Sequence, residues 1–305
     1  MRISHGLDAF PSDAAPCVAA LGTFDGVHLG HRAILGTAVS RARALGVPAV
    51  ACTFDPNPME VLRPERAPLP ITTLAERLAL IAGTGIDATA ILSFTPEVAA
   101  VEPEAFVKDV LLGRLRVREV VVGFNHTFGR GARGNARLLE SLSERLGFQV
   151  HVMPPLAVDG MPVSSSEIRA TLWRGEVDRA ARFLGRLYSL GGPVVRGAGR
   201  GRSLGFPTAN LRPERPPLVP TGVYACQAKL GDATHRAVVN IGVRPTFDER
   251  ELAVEAHLID FTEELYGRRL EVGFVRRLRD EMKFPGVAAL CDQIARDVAA
   301  ARRAL

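Results

Sequence analysis

The chain lacks the features of a membrane protein. None of its apolar runs approaches the roughly twenty residues that a membrane-spanning helix requires. The stretch from Met1 to Pro16 contains no continuous apolar core of the kind found in a signal peptide. We therefore expect a cytoplasmic protein without a membrane partner.

Cysteine and dense basic runs are also scarce. The four cysteines, Cys17, Cys52, Cys226 and Cys291, are widely scattered and include no Cys-x-x-Cys pair. This spacing indicates neither a zinc site nor a disulfide framework, and it favours a reducing compartment. The net charge of +5 is not gathered into any basic cluster, so we expect an anionic small molecule rather than nucleic acid as a partner.

The chain is long enough for two domains, with 305 residues of which 47% are hydrophobic and 23% charged. Over residues 1–186, short apolar runs alternate with helical patterns. This alternation predicts an α/β domain with a mostly parallel sheet covered on both faces. The expected strands lie at 18–21, 47–53, 87–94, 117–122 and 148–153.

Over residues 187–305 the β pattern dominates. Its spacing predicts a small antiparallel β-barrel domain followed by one helix from about Pro285 to the C-terminus. The expected strands lie at 188–195, 222–230, 235–241, 254–261 and 270–275.

The most informative motif is Gly22-Thr-Phe-Asp-Gly-Val-His-Leu-Gly-His31. It follows an apolar strand and precedes a helical pattern from Leu29 to Leu45, so His28 and His31 share one face of the first helical turn. Free N–H groups and the helix dipole favour an anion there, and the imidazoles add donors. A packing pair and a metal pair remain alternatives for this spacing.

Three further segments of unusual composition follow predicted strands. Because ligands bind at the carboxyl ends of parallel strands, we expect segments 54–58, 123–129 and 164–169 to converge with the histidine motif. Ser164 and Glu167 form a potential capping box. Ser165, Ser166 and Arg169 would then add donors to an anion site.

The second half contains candidate ligands for Mg²⁺ and a candidate base. Thr208 and Asn210 lie two residues apart in an extended segment and offer hard oxygen ligands. Glu255, near His257, could accept a proton from an alcohol that attacks ATP. A solvated or ion-paired strand side chain is the alternative for each. The glycine-rich stretch 197–205 lacks the ending of a Walker A loop, so by itself it is a weak signal.

Nine motifs together resemble the bacterial bifunctional riboflavin kinase and FAD synthetase family, in the expected order over nearly the whole chain. The motifs are GTFDGVHLGH, TFDPNP, GFNHTFG, VSSSEIR, GRGRSLGFPTANL, PTGVYA, NIGVRPTF, VEAHLIDF and RLRDEMKF. The resemblance implies a Rossmann-like nucleotidyltransferase domain, which adenylylates FMN to FAD, and a β-barrel riboflavin kinase domain. ATP and Mg²⁺ would serve both reactions.

The resemblance also implies residue roles. His28 and His31 would contact the ATP phosphates and the transition state, Glu255 would be the catalytic base, and Thr208 and Asn210 would bind Mg²⁺ and ATP. The other residues implied to bind substrate or ATP are Gly22, Thr23, Phe24, Asp25, Gly26, Asn125, Ser164, Ser165, Ser166, Arg169, Gly205, Phe206 and Pro207. Two positions depart from the family: His126 replaces a usual Phe, and Ser166 replaces a usual Thr.

Two rival functions remain at this point. The barrel domain could be a flavin-binding regulator, although the intact Thr208, Asn210 and Glu255 argue against it. The first domain could transfer a nucleotide to a different phosphate ester, although the attached flavin kinase motifs argue against that. The oligomeric state is left open by the sequence.

Overall fold

A computed structural model describes residues 1–6, 15–197, 201, 204–245 and 250–305. Two of the quoted motifs, the glycine-rich stretch 197–205 and NIGVRPTF at 240–247, lie partly outside these residues. Contacts divide the chain into two compact units, Met1–Ser165 and Ser166–Leu305. In the part of the chain that the structure describes, no helix is long and apolar enough to cross a membrane.

The first unit contains a six-stranded parallel sheet with the order β1-β4-β3-β2-β5-β8. All five predicted strands of this sheet are present. The sequence analysis missed β1, a short and mostly exposed edge strand. The strands of this unit are β1 (Arg2–His5), β2 (Cys17–Leu21), β3 (Ala49–Asp55), β4 (Ala88–Ser93), β5 (Val117–Gly123), β6 (Thr127–Phe128), β7 (Gly134–Asn135), β8 (Gln149–Met153), β9 (Ala157–Val158) and β10 (Met161–Pro162).

Helices cover both faces of this sheet, as predicted. One apolar cluster joins the sheet to α1 and α3, and a second joins it to α6 and a π-helical segment. The helices are α1 (Leu29–Leu45), α2 (Pro58–Leu62), α3 (Leu74–Ala82), α4 (Pro96–Ala99), α5 (Pro103–Ala105), the π-helical segment (Phe106–Arg114) and α6 (Ala136–Leu146), with 3₁₀ turns at Pro64–Arg66 and Arg130–Ala132.

The strand order places a topological switch point beside β2. From β2 the chain moves outward through β3 to β4, and then returns to β5 on the other side of β2. Ligands of parallel α/β sheets bind at such a point, outside the carboxyl ends of the strands. The loops that follow β2 and β5 flank it.

The second unit is a closed antiparallel barrel with the order β11-β12-β15-β14-β13-β16. The predicted barrel and C-terminal helix are confirmed. The sequence analysis assigned no strand to β12, which has only three residues. The elements are α7 (Ser165–Trp173), which begins at the last residue of the first unit, α8 (Val177–Leu184), β11 (Tyr188–Val195), β12 (Ala209–Leu211), β13 (Gly222–Leu230), β14 (Ala233–Pro245), β15 (Arg250–Leu258), β16 (Arg269–Arg279) and α9 (Val287–Ala304).

Two helices cover parts of the outer barrel wall. Helix α9 packs on an apolar patch that includes Val223 and Val238, and its buried Asp297 forms a 2.8 Å ion pair with Arg279 on β16. Helix α8 lies against β11 and β16. It therefore belongs by contacts to the second unit, whereas the sequence pattern placed it before the boundary between residues 186 and 187. That boundary stays a prediction.

Candidate functional site

The loop between β2 and α1 lies at the switch point and is largely buried. Phe24, Asp25 and Val27 are at most 5% exposed. Phe24 and Val27 have positive φ angles of 51° and 36°. Because a positive φ is unfavourable for bulky and β-branched residues, contacts from the surroundings must maintain this loop conformation.

The two histidines of the motif lie against each other at the start of α1. His28 is the N-cap residue, and its Nδ1 accepts a hydrogen bond from the His31 backbone N–H at 3.2 Å. The rings are stacked, with centroids 3.6 Å apart, and the Phe24 ring meets His31 edge-on at 5.3 Å. Packing and anion binding are compatible here, since the stacked pair sits where free helix N–H groups favour a phosphate.

His31 is electrically neutral in this environment near pH 7. Burial, followed by the electrostatic interaction with His28, lowers the pKa of His31 well below its ordinary value. Its Nδ1 is buried and has no hydrogen-bond partner among the residues described. The His31 imidazole is therefore available to form a hydrogen bond with an anion bound at the start of the helix.

The Asp25 carboxylate anchors the loop to the segment before α3. It accepts hydrogen bonds from the Ile71 N–H at 3.0 and 3.1 Å, and from the N–H and hydroxyl of Thr72 at 3.0 Å each. The Thr72 hydroxyl in turn accepts the Gly26 N–H at 3.0 Å. Sequence reasoning missed Thr72, because no local pattern links it to a residue 47 positions away.

The start of the loop is tied to β3. The Gly22 N–H donates to the Cys52 carbonyl at 3.1 Å, and the Thr53 hydroxyl donates to the Thr23 carbonyl at 3.0 Å. In the loop that follows β3, Asn57 caps α2 by accepting the Met59 N–H. The segments after β2 and β3 therefore lie side by side, as the parallel pairing predicts.

The loop after β5 carries Asn125 and His126 on the other side of the switch point. Asn125 is exposed, whereas His126 is mostly covered and stacks on Phe128 with ring centroids 5.8 Å apart. Burial lowers the pKa of His126 to about 4, and its buried Nε2 has no partner among the described residues. The imidazole thus occupies an aromatic packing position without using its polar atom.

The serine motif lies at the start of α7. Ser164 precedes the first helical residue, and the Ser165 hydroxyl donates to the Asp25 carbonyl at 3.0 Å. This contact brings the Ser165 end of the motif to the histidine loop. Ser166 and Arg169 follow on the same helix, and Arg169 is 6% exposed.

In the second unit, Glu255 on β15 is directly opposite Asn210 on β12 and Asn240 on β14. Directly opposite residues of antiparallel strands place their side chains on the same face, with Cβ atoms about 5 Å apart. Val254 and Ala256 are buried and fill the barrel interior, so this row lies on the outer wall. A carboxylate is therefore flanked by two carboxamides.

Asn240 is a residue to which the sequence analysis gave no role, although it begins the quoted motif NIGVRPTF. The signal needed to find it is the strand register, which follows from pairing between β14 and β15 and is not visible in local composition. Sequence reasoning identified the other two members of the row.

Two glycines before β12, Gly197 and Gly201, lie very close to the side chains of Asn210 and Thr208. A β-carbon at Gly197 would overlap the Asn210 carboxamide, and one at Gly201 would lie 2.8 Å from the Thr208 hydroxyl oxygen. Only glycine permits this approach. The hydroxyl and carboxamide oxygens gathered here are of the hard type that Mg²⁺ prefers, so the donor set fits that ion.

The segment immediately before Thr208 consists of Gly205, Phe206 and Pro207, and it contacts β15. The Pro207 carbonyl is 2.8 Å from His257 Nδ1, and the Phe206 ring meets the His257 ring edge-on at 5.7 Å. His257 thereby holds Phe206 and Pro207 against the strand that carries Glu255. Within the described ranges, no group of three or more His, Cys, Asp and Glu side chains is placed to bind a metal.

Comparisons with known proteins match both halves of the chain. The family model described as FAD synthetase matches residues 10–167, and the riboflavin kinase model matches residues 184–305. The curated bifunctional riboflavin kinase/FMN adenylyltransferase of Pseudomonas fluorescens is 38% identical over 99% of this chain and 97% of its own. The Bacillus subtilis enzyme of the same name is 35% identical over 97% of this chain and 95% of its own.

A solved structure shares the fold over the full length. It is described as a macrolide-efflux protein from Streptococcus pneumoniae, has a TM-score of 0.90 and 29% sequence identity, and covers 99% of both chains. The sequence-based resemblance is confirmed by the curated relatives and by both family models. The chain belongs to the family of bifunctional riboflavin kinases and FMN adenylyltransferases, which form FMN from riboflavin and FAD from FMN.

Proposed function

We propose that the two activities of this enzyme are carried by the two groups of residues described above. FMN adenylylation is assigned to the histidine loop, the Asn125 loop and the start of α7. Riboflavin phosphorylation is assigned to the row on the outer barrel wall. The observation that carries the assignment is the stacked pair His28 and His31 at the switch point of a parallel sheet, within the residues that match the FAD synthetase family.

In the adenylylation reaction, an oxygen of the FMN phosphate bonds to the α-phosphorus of ATP, and the bond to pyrophosphate breaks. No covalent enzyme intermediate is required. His28 and His31 stabilise charge on the transferring group, and Ser165, Ser166 and Arg169 hold phosphate oxygens. A neutral His31 suits this role, because its hydrogen bond to an oxygen strengthens as that oxygen gains charge.

In the kinase reaction, the riboflavin 5′-hydroxyl oxygen bonds to the γ-phosphorus of ATP and ADP leaves. Glu255 accepts the hydroxyl proton. Asn210 and Thr208 would hold Mg²⁺, which neutralises charge on the ATP phosphates when bound. The close approach of Gly197 to Asn210 and of Gly201 to Thr208 supports this assignment, and Asn210 lies directly opposite Glu255.

We further propose that the enzyme acts in the cytoplasm without nucleic acid. All four cysteines are free, which agrees with a reducing compartment. The remaining substrate-binding positions of the barrel, Gly205, Phe206 and Pro207, are proposed to line the approach to Thr208.

The test separates the two reactions in the full-length protein. Glu255→Gln should lower FMN formation from riboflavin by about 10²- to 10⁴-fold, while FAD formation from supplied FMN stays near the parent rate. His31→Ala should do the reverse, with a loss of about 10²- to 10³-fold in FAD formation. Chromatography of FMN and FAD after incubation with ATP and Mg²⁺ measures both. A variant that loses both activities equally would contradict the assignment.

A further inference from the structure

Arg77 is a buried arginine on α3 that binds two loops of the adenylylation site. It is 6% exposed. Its Nη1 donates to the Thr23 carbonyl at 2.9 Å, and its Nη2 donates to the Phe54 carbonyl at 2.9 Å. One planar guanidinium therefore joins the loop after β2 to the end of β3.

The carbonyl groups that Arg77 binds lie at the carboxyl ends of β2 and β3, beyond the last residue pair that joins these two strands, Leu21 and Cys52. The Thr23 carbonyl also accepts the Thr53 hydroxyl, so two donors hold this one peptide group. The next residue, Phe24, has a positive φ, and so does Val27 immediately before His28. Contacts at Thr23 therefore help to maintain the conformation that leads into the histidine pair.

The charge of Arg77 is balanced locally rather than by one short ion pair. Its Nη2 is 3.8 Å from an Asp55 carboxylate oxygen. Burial lowers the pKa of Arg77, whereas the nearby Asp25, Asp55 and Glu60 raise it. Desolvation of a buried guanidinium is costly, and the two short hydrogen bonds to carbonyl groups help to offset that cost. The burial of Arg77 is explained if its hydrogen bonds to the Thr23 and Phe54 carbonyl groups are needed to hold the two loops.

We propose that Arg77 is a positioning residue for FMN adenylylation, which acts by fixing the histidine loop relative to the end of β3. This inference rests on the proposed role of His28 and His31. The rigid fork of arginine donates in two directions at once, which lysine cannot reproduce with a single ammonium group. Loss of the fork would let the Thr23 peptide move and would misplace both imidazoles.

The experiment compares Arg77→Met and Arg77→Lys with a matched control, Arg41→Met. Arg41 also lies on a helix of the first unit and donates to a carboxylate, Glu119, through two nitrogens at 2.7 and 2.8 Å, but neither bond involves the site loops. Steady-state rates of FAD formation from FMN and ATP, thermal unfolding and FMN formation by the kinase are measured for each full-length protein.

We expect Arg77→Met to lower kcat for FAD formation by about 10²-fold, the typical effect of a displacement of roughly 1 Å, with smaller changes in KM. Arg77→Lys should recover part of kcat, and kinase activity should stay near the parent value in both. Arg41→Met should lower thermal stability at least as much while retaining kcat within a few fold.

Two results would overturn the proposal. The first is an Arg77→Met protein that is folded and retains kcat within threefold of the parent. The second is a loss of kcat in Arg41→Met equal to that in the Arg77 variants, which would indicate general destabilisation. His31→Ala is assayed beside them: if it loses FAD formation while the Arg77 variants do not, only the positioning role fails, and if it keeps full activity, the site assignment itself fails.

Discussion

Replacement of His126 by Phe should remove a specific sensitivity of the first unit to acid. The pKa of this imidazole is lowered from 6.5 to about 4 by burial, and its ring stacks on Phe128. In the unfolded chain the imidazole binds a proton below about pH 6.5, whereas in the folded chain it does so only below about pH 4. The unfolded state therefore binds more protons between these values, and stability falls as the pH is lowered through this window.

The size of the effect follows from the two pKa values. Between pH 7.5 and pH 5.0 the histidine should cost about 2 kcal/mol of stability, and about 3 kcal/mol once the pH is below both values. His126→Phe abolishes this loss. It should also stabilise the unit by about 1 kcal/mol at neutral pH, because a buried ring nitrogen without a partner is replaced by carbon.

The measurement is urea unfolding at the two pH values, followed by hydrogen–deuterium exchange of peptides from residues 1–165. Peptide resolution separates this unit from the barrel. His5→Phe, which changes an exposed histidine of the same unit, is the matched control. If His126→Phe and the parent lose the same stability between pH 7.5 and 5.0, the assignment of a buried, neutral His126 is wrong.

Three further results are expected. His28→Asn should keep the helix cap and the fold but lower the rate of FAD formation by about 10²-fold. His28→Ala should lower that rate as well and also reduce the free energy of unfolding by about 1 kcal/mol. Equal stability of the two variants would refute a capping role for His28. A fragment of residues 187–305 should make FMN. A fragment of residues 166–305 should be several kcal/mol more stable to urea than the shorter one, because α8 adds buried apolar side chains. Equal urea midpoints of unfolding for the two fragments would show that α8 is dispensable. Thr208→Val should raise the Mg²⁺ concentration needed for half-maximal FMN formation by about tenfold without altering FAD formation, and an unchanged requirement would exclude Thr208 as a ligand.

Much of the fold could be predicted because its signals are local. Helix α1 begins and ends at the predicted residues, Leu29 and Leu45, where an apolar helical pattern is followed by a glycine cap. The long barrel strands were visible as β-rich runs. The strands of the main sheet and the barrel that were missed, β1 and β12, have four and three residues, too few to establish a periodic pattern. Their pairing depends on neighbours distant in the chain.

The same distinction applies to the sites. His28, His31, Thr208 and Asn210 stand in short motifs, so their chemistry could be inferred from sequence. The register of Asn240 with Glu255 and the hydrogen bonds from Thr72 and Arg77 to the histidine loop could not, because they join residues from 15 to 54 positions apart. The sequence therefore identified the residues proposed to meet the substrates better than those that hold them in place.

The cap at the start of α1 determines where His28 carries its proton. A nitrogen that accepts a hydrogen bond must be unprotonated, and Nδ1 accepts the His31 N–H. The neutral ring is thus the Nε2–H tautomer, with its donor on the side away from the helix. Protonation at Nδ1 would break the cap, so a positively charged His28 ring and an intact cap exclude each other. The hydrogen bond that caps the start of α1 thereby also keeps a single hydrogen-bond donor on the His28 ring, at Nε2.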